Sequence, residues 1–483
     1  MSTSELPRLG SAAGRWIVLA TVLGSSVASL DATVVNIALP HIGAALDTDI
    51  AGLQWTINGY TLTLASFILL GGSFGDRFGR RRVFVSGAVA FAAASLLCGA
   101  AVNIEMLVAA RLCQGIAGAM LTPGSLALIS ASIDERDRGA AIGVWSGFAG
   151  VSGALGPFLG GWLIAVAGWR SIFFINVPLV LVVVVLSLRH VPESRDPNAA
   201  SRLDVPGAVV VAIALGALTL GLIDGAPLLL SCGVVLLAAF VLIELRSDHP
   251  LVPPALFRSR VFTVANLVTL AVYAALGGVF FLLVLQLQVV AGYSPLWSGA
   301  ALVPITVLML VLSAPAGRWA QRHGPRLPMT FGPVLAAGGV ALLLRIGPGA
   351  SYPIEVLPGV VVFGLGLSVL VAPLTGAVLG AVAASEAGIA SGVNNAVART
   401  AQLLAVAALP GLAGISGELG DPAVIDSGFT IAMWICAGLL LTGALLAAVL
   451  LRPRRHPPEF GGADCRPQCA VEGPAVMPAR RTD

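Results

Sequence analysis

At 483 residues, with 57% hydrophobic and only 11% charged residues and a mean hydropathy of +0.94, the chain has too little polar surface to clothe a water-soluble fold. Its net charge of +3 sets 27 basic residues, every one of them Arg, against 24 acids. No nucleic-acid partner is expected, because the placement of those Arg follows the alternation of membrane loops described below.

Apolar stretches recur near 16–39, 53–75, 82–101, 104–129, 139–165, 170–188, 205–223, 227–244, 262–290, 296–317, 328–345, 356–379, 388–411 and 427–451. Each approaches or exceeds the roughly 20 residues that cross a ~30 Å hydrocarbon layer as a helix. The first begins at Trp16 and ends without a small-residue cleavage site, so it is expected to remain as helix 1. That helix closes on Leu30 to Pro40 and contains Asp31, an acid about 13 Å in from Pro40 at ~1.5 Å per residue. A carboxylate at such depth must pair, protonate or serve function.

Helix 2 places Gln54, Trp55, Asn58 and Tyr60 within two turns, side chains suited either to line a cavity or to anchor at the membrane interface. The loop after it runs Gly72, Ser73, Phe74, Gly75, Asp76, Arg77, Phe78, Gly79, Arg80, Arg81, Arg82. Gly permits close helix approach and a tight reversal there, and Asp76 can pair with Arg, which makes the cluster a candidate latch for one conformation. On helix 4, Arg111 lies about 12 Å in from Asn103, a depth that matches Asp31. Arg111 keeps its charge and would compete with a proton for Asp31, giving either a proton switch or a fixed ion pair. Helix 5 carries Gly147, Gly150, Gly153, Gly156, Pro157, Gly160 and Gly161; from Gly150 on, these fall within about 140° of one helix face.

The loop after helix 2 returns 245 residues later, where Gly317, Gln321, Arg322, Gly324 and Arg326 repeat Gly72, Asp76, Arg77, Gly79 and Arg81. Two halves of six helices follow, with helices 7 and 8 inserted between them. Helix 10 has no carboxylate from Ser298 to Gly317, and Asp224 sits near the outer end of helix 7. With the N-terminus inside, every Arg except Arg111, Arg170, Arg345 and Arg399 falls in interior loops or tails, which places both ends in the cytoplasm. His41, His190, His249, His323 and His456 scatter over loops and tails, so neither a catalytic His cluster nor a metal site is expected. Four of six Cys lie in apolar segments, which excludes a disulfide scaffold; Cys465 and Cys469 lie in a Pro-rich tail expected to be disordered.

The Gly72–Arg82 loop resembles the signature between helices 2 and 3 of the major facilitator superfamily, and Arg111-Leu112-Cys113-Gln114-Gly115 resembles its helix-4 motif. Leu30 to Pro40 is similar to the helix-1 motif of the fourteen-helix drug:proton antiporters, and Gly156-Pro157 with Gly160-Gly161 resembles the helix-5 motif of antiporters. Trp169 to Pro178 and Ser391 to Arg399 extend the similarity over nearly the whole chain. The resemblance implies an all-α polytopic membrane protein of the major facilitator fold: 1–190 a six-helix bundle, 191–248 two inserted helices, 249–451 a second bundle, 452–483 a cytoplasmic tail. It implies no enzyme but a monomeric antiporter of the cytoplasmic (inner) membrane, in contact with lipid. Such a protein uses protons as coupling ion, needs no cofactor, and exports lipophilic drugs or antibiotics; a dedicated exporter of one metabolite, lipid or self-made antibiotic is the alternative. Asp31 and Arg111 would carry the coupling, the Gly72, Asp76, Arg77, Gly79, Arg80 and Arg81 loop the conformational switch, and Asn36, Gln54, Trp55, Asn58, Tyr60 and Gln114 substrate contact. One deep acid implies one proton per cycle and neutral or singly cationic substrates.

Overall fold

The computed structural model describes residues 6–196, 204–247, 250–383, 386–415, 417 and 421–451; the tail cysteines Cys465 and Cys469 lie outside them. Fourteen membrane-length helical passes run through these residues, matching the fourteen apolar runs. They are α1 (Ala12–Leu46), α2 (Ile50–Phe78), α3 (Arg80–Gly99), α4 (Ile104–Ser132), α5 (Glu135–Ala167), α6 (Ser171–His190), α7 (Val205–Ile223) and α8 (Pro227–Arg246). The second set is α9 (Arg260–Val290), α10 (Pro295–His323), α11 (Arg326–Leu343), α12 (Tyr352–Leu379), α13 (Ala387–Leu412) and α14 (Pro422–Leu450). Twelve are long and apolar enough among the described residues to cross a membrane; α5 and α13 complete the set. The protein is therefore a multi-pass membrane protein.

Two boundaries differ from the sequence reading: α2 runs on through Gly72 and Asp76 to Phe78, so that Gly79 alone separates it from α3, and α1 runs past its expected end. Helix α1 passes through Pro40 and continues to Leu46, ending where Asp47 adopts a left-handed φ of 48°. Proline removes one backbone hydrogen bond, which a long helix packed among neighbours tolerates. His41 consequently lies on a helix rather than in a loop.

The polypeptide divides into α1–α6 and α9–α14, with α7 packed on α2 and α13 at the seam and α8 covering α7. Only Gly233 and Glu244 of α8 are fully buried, so most of its surface faces away from the rest of the protein. At the end of the molecule carrying the turn at Asp47, a single apolar core runs across both halves, joining Ile37, Leu53 and Leu107 to Phe281, Leu285 and Ile305. At the opposite end, which carries the turn at Gly79, the first half keeps a separate core around Ile17, Phe84, Phe91 and Leu128. The two halves thus share one apolar core at one end, and at the other the first half keeps a core of its own.

Candidate functional site

Asp31 and Arg111, each 1% exposed, meet in the interior of the first half, with Arg111 Nη1 2.5 Å from Asp31 Oδ2. The other carboxylate oxygen, Oδ1, accepts Gln114 Nε2 and Asn176 Nδ2, each at 2.9 Å. Both amides also donate to Ser95 Oγ, at 2.8 and 3.2 Å. Arg111 reaches Gln114 Oε1 at 2.7 Å and, through Nε, the Thr56 carbonyl at 3.0 Å. Tyr60 lies 4.4 Å under the guanidinium, with Phe173 on its other side at 5.9 Å. Side chains from α1, α2, α3, α4 and α6 thus converge on one carboxylate.

The chemistry of this cluster follows from its closure. A lone buried carboxylate is strongly disfavoured, and two amide donors plus a fixed cation offset its desolvation. The same set can release the acid: withdrawing Arg111 and one amide leaves an oxygen that must take a proton or reach water. Gln114, expected as a substrate contact, instead holds Asp31. Asn176, Ser95 and Cys98, whose thiol lies 3.6 Å from Gln114 Oε1, were not singled out from sequence as site residues. Their one signal was a polar or thiol group inside an apolar run.

The remaining expected contacts separate. Asn36 is half-buried and donates to the Ala32 carbonyl of its own helix at 3.2 Å. Gln54 spans the halves, with Nε2 2.7 and 2.9 Å from the Val406 and Ala407 carbonyls of α13. Trp55 packs beside Leu62, Leu215 and Leu403, where α7 joins the seam. Asn58 is fully buried and neither amide atom has a hydrogen-bond partner among the described residues.

Several contacts close the end bearing the Asp47 turn. Besides Gln54, Gln288 Nε2 donates to the Ile37 carbonyl at 2.9 Å, from α9 to α1. Gly161 lies against the Pro295 carbonyl, and Gly299 against the Pro157 carbonyl, so α5 and α10 touch backbone to backbone where any Cβ would collide. Gly156 and Gly160 face Thr33 and Val34 of α1. The glycine-rich helix therefore serves two partners, one in each half. Gly147, Gly150 and Gly153 lie on α5 at positions whose surroundings are outside the described residues.

At the opposite end, α2 stops at Gly79, whose φ of 115° suits glycine. Asp76 Oδ1 takes Arg80 Nε and Nη2 at 2.8 and 2.7 Å. The Arg80 amide donates to the Ser194 carbonyl and the Asp196 amide to the Asp76 carbonyl. Glu193 accepts the amides of Arg81 and Arg82 at 3.0 and 3.2 Å, and Arg81 Nη1 reaches the Val191 carbonyl at 3.1 Å. Gly72 faces Pro123 of α4, and Arg77 lies 5.4 Å from the Phe78 ring. The loop is bolted to the exit of α6, a role for Glu193 that the sequence reading did not assign. The repeat reproduces the device: Gly324 has φ 89°, and Arg326 Nε and Nη2 grip the Ala448 carbonyl near the end of α14 at 3.0 and 2.7 Å.

A cavity of about 790 Å³ runs along α1 and α5, walled by Val22, Ser26, Phe148, Ser152 and Leu179, with Arg15 and Asp137 also lining it. All its lining belongs to the first half, so it is not the cleft between halves.

Comparisons with known proteins agree with this architecture. The sequence profile of the Major Facilitator Superfamily matches residues 21–406 and 307–465. The chain is 35% identical over 477 residues to the puromycin resistance protein pur8 of Streptomyces alboniger, covering 94% of this chain and 95% of that one. It is 33% identical to the methylenomycin A resistance protein of Streptomyces coelicolor, covering 91% and 93%, and 34% identical to the multidrug resistance protein Stp of Mycobacterium tuberculosis, covering 78% and 72%. Among solved structures, a bacterial homolog of the human lysosomal transporter Spinster shares the fold at a TM-score of 0.65, with 18% identity and coverage of 91% and 97%. A POT family peptide transporter does so at 0.69, with 16% identity and coverage of 93% and 99%. Two six-helix halves, a duplicated loop and a buried acid–base cluster thus stand in a chain that belongs to the Major Facilitator Superfamily, as a membrane transporter and not an enzyme.

Proposed function

We propose that this protein is a proton-coupled exporter of lipophilic antibiotics or drugs across the cytoplasmic membrane, working by alternating access. The observation that carries the reading is Asp31, a fully buried carboxylate held by Arg111, Gln114 and Asn176 on helices of one half. Such a group has two stable conditions, ionised and gripped or protonated and released, and the second lets the half rearrange. Relatives named for antibiotic resistance support the direction of transport and the substrate class. The arginine bias supports placing the Gly79 end and both termini in the cytoplasm, so that the end where the halves share one apolar core faces outward. The proposed units are 1–190 and 249–451, rocking about the seam, with 191–248 inserted, 452–483 a cytoplasmic tail, and the monomer sufficient.

One carboxylate carries one proton. For a neutral compound both voltage, worth about 2.3 kcal/mol per charge per 100 mV, and pH, roughly 1.4 kcal/mol per unit, drive export. A monocation is driven by pH alone and a dication is opposed by voltage, so neutral or singly cationic compounds suit a one-proton cycle. Vesicles with clamped voltage and pH test it over a panel including puromycin. Wild type is expected to concentrate substrate against its gradient, and Asp31→Asn to bind but not concentrate. Uphill efflux by Asp31→Asn under an imposed pH gradient would remove the assignment.

A further inference from the structure

Halfway along α13, Arg399 lies roughly 18 to 20 Å from either helix end at ~1.5 Å per residue. It is half-buried, forms no ion pair among the described residues, and makes one hydrogen bond there, from Nη1 to Gln402 Oε1 at 3.3 Å. A guanidinium at that depth cannot rest against lipid without great cost, so it faces protein or the cleft between the halves. Its surroundings agree. Gly277 of α9 packs on the backbone of Gln402, three residues further along α13.

The opposing wall comes from α2, which packs antiparallel on α13. Gln54 meets Val406 and Ala407 near one end of the contact, and Leu69 lies over Gly392 near the other. That register sets Asn58 across from Gln402, and Leu62, one turn on, clusters with Leu403. Asn58 is the fully buried amide without a partner for either its Nδ2 or its Oδ1. Among the described residues, a cation lacking a counter-ion and an amide lacking any hydrogen bond therefore lie about one helical turn apart along the seam. Native proteins rarely leave such groups without a use.

We infer that Arg399, with Gln402 and Asn58, is the polar end of the substrate site, and that it takes the ionised oxygen group of a lipophilic acid, a carboxylate or acidic phenol. The inference rests on the exporter reading above and departs from it in the charge of the molecule carried. A guanidinium offers paired donors to such a group, Asn58 Nδ2 adds a third, and the apolar seam around Leu62 and Leu403 receives the rest. A cationic end would meet Arg399 unshielded, while the nearest deep carboxylate, Asp31, is already saturated by three donors. Exchange of one proton inward for one anion outward moves two positive charges in, so voltage acts twice.

The test compares 11-(dansylamino)undecanoic acid with its methyl ester, which share the apolar body and differ in the charged end. Full-length protein in lipid nanodiscs is titrated at a pH where the acid is ionised, with empty nanodiscs subtracted. Wild type is expected to bind the acid at least tenfold more tightly than the ester. Arg399→Gln should reduce acid affinity roughly tenfold and leave the ester within about twofold; Arg399→Lys should keep most of the preference, and Asn58→Ala part of it. Equal affinity of wild type for both probes overturns the inference even if every variant fails to fold, and so does an equal loss for both probes in Arg399→Gln. Proteoliposomes under an imposed pH gradient separate this from the exporter reading. If neither probe is driven uphill while the acid preference persists, the exporter reading fails and the Arg399 site stands; if the ester is driven and the acid is not preferred, the Arg399 site alone fails.

Discussion

The first half gathers Asp31, Arg111, Gln114, Ser95 and Asn176 into its own interior, whereas the second half carries its mid-depth charge, Arg399, on the seam. Among the described residues the helices that correspond to α1 and α4, which are α9 and α12, are packed there by Phe281, Leu285, Phe363 and Leu367. Yet both halves fasten the same edge the same way, with a left-handed glycine and an arginine on the terminal carbonyls of their sixth helix. Duplication has kept this fastening and let the interiors diverge. An interior ionic cluster ties five helices of the first half around one carboxylate. The second half instead joins α9 to α14 through Gln286 and Asp426 and α9 to α13 through Asn266, Thr269 and Asn394, with no such ion pair among the described residues.

The largest expected effect breaks the comparison at its centre. Arg111→Ala leaves Asp31 buried with two amide donors and no cation, a change that typically costs about 3–5 kcal/mol. Arg399→Gln removes a charge that has no ion-pair partner and should cost less than about 1 kcal/mol. Thermal unfolding of the two variants in detergent, at matched pH, should show a large loss for the first and little for the second. Comparable losses would mean that Arg399 is also held within a hidden structural network, and the contrast between the halves would fall.

The features that carry charge were legible in the sequence because ionisable residues in apolar runs are rare enough to stand out. Asp31, Arg111, the Gly72–Arg82 loop and its repeat around Gly324 were all visible there, as were fourteen passes. What the sequence withheld was rotation and tilt. Ser95 and Asn176 belong to the cluster, and Gln54 ties α2 to α13, only because of how each helix is turned about its axis, which packing rather than composition decides. Small polar residues in membrane helices also satisfy themselves on their own backbone, as Thr21, Thr33 and Ser66 do. Such a residue carries no signal of its partner. Pro40 misled for a different reason: it marks helix ends in water more reliably than within a packed bundle.

A smaller effect concerns the sealed end, where Gly161 and Gly299 bring α5 and α10 into backbone contact. Gly161→Leu forces the two helices apart and should shift the molecule toward the conformation opened at that end, slowing net efflux by roughly tenfold if the shift reaches about 1.4 kcal/mol. Gly143→Leu, on the same helix where a Cβ meets nothing within 4 Å, serves as a control. Impermeant thiol labelling of a cysteine placed at Ser298, which is fully buried at the closed contact, should rise in Gly161→Leu. Unchanged labelling and turnover would show that the glycine contact does not hold the sealed state.

The smallest effect separates the two duplicated fastenings. Arg326 spends two donors on one acceptor, the Ala448 carbonyl, so Arg326→Ala removes both bonds at once. Arg81 gives one bond to Val191, and its loop stays attached through Glu193, which accepts the backbone amides of Arg81 and Arg82 whatever the side chain is. Hydrogen bonds from charged donors are worth about 1.5–3 kcal/mol when buried, and these part-exposed ones fall toward the lower end or below it. Losing Arg326 should therefore fray the last turn of α14 by about 1 kcal/mol, speeding amide exchange over 446–450 roughly fivefold. Losing Arg81 should change exchange over 187–191 by less than about twofold, since the loop remains clamped. Hydrogen exchange followed by mass spectrometry resolves both segments in one experiment. If Arg81→Ala frayed α6 more than Arg326→Ala frayed α14, Glu193 would not be the redundant clamp that distinguishes the first fastening from the second, and the acid at 193 would be relieved of the role its two amide contacts assign to it.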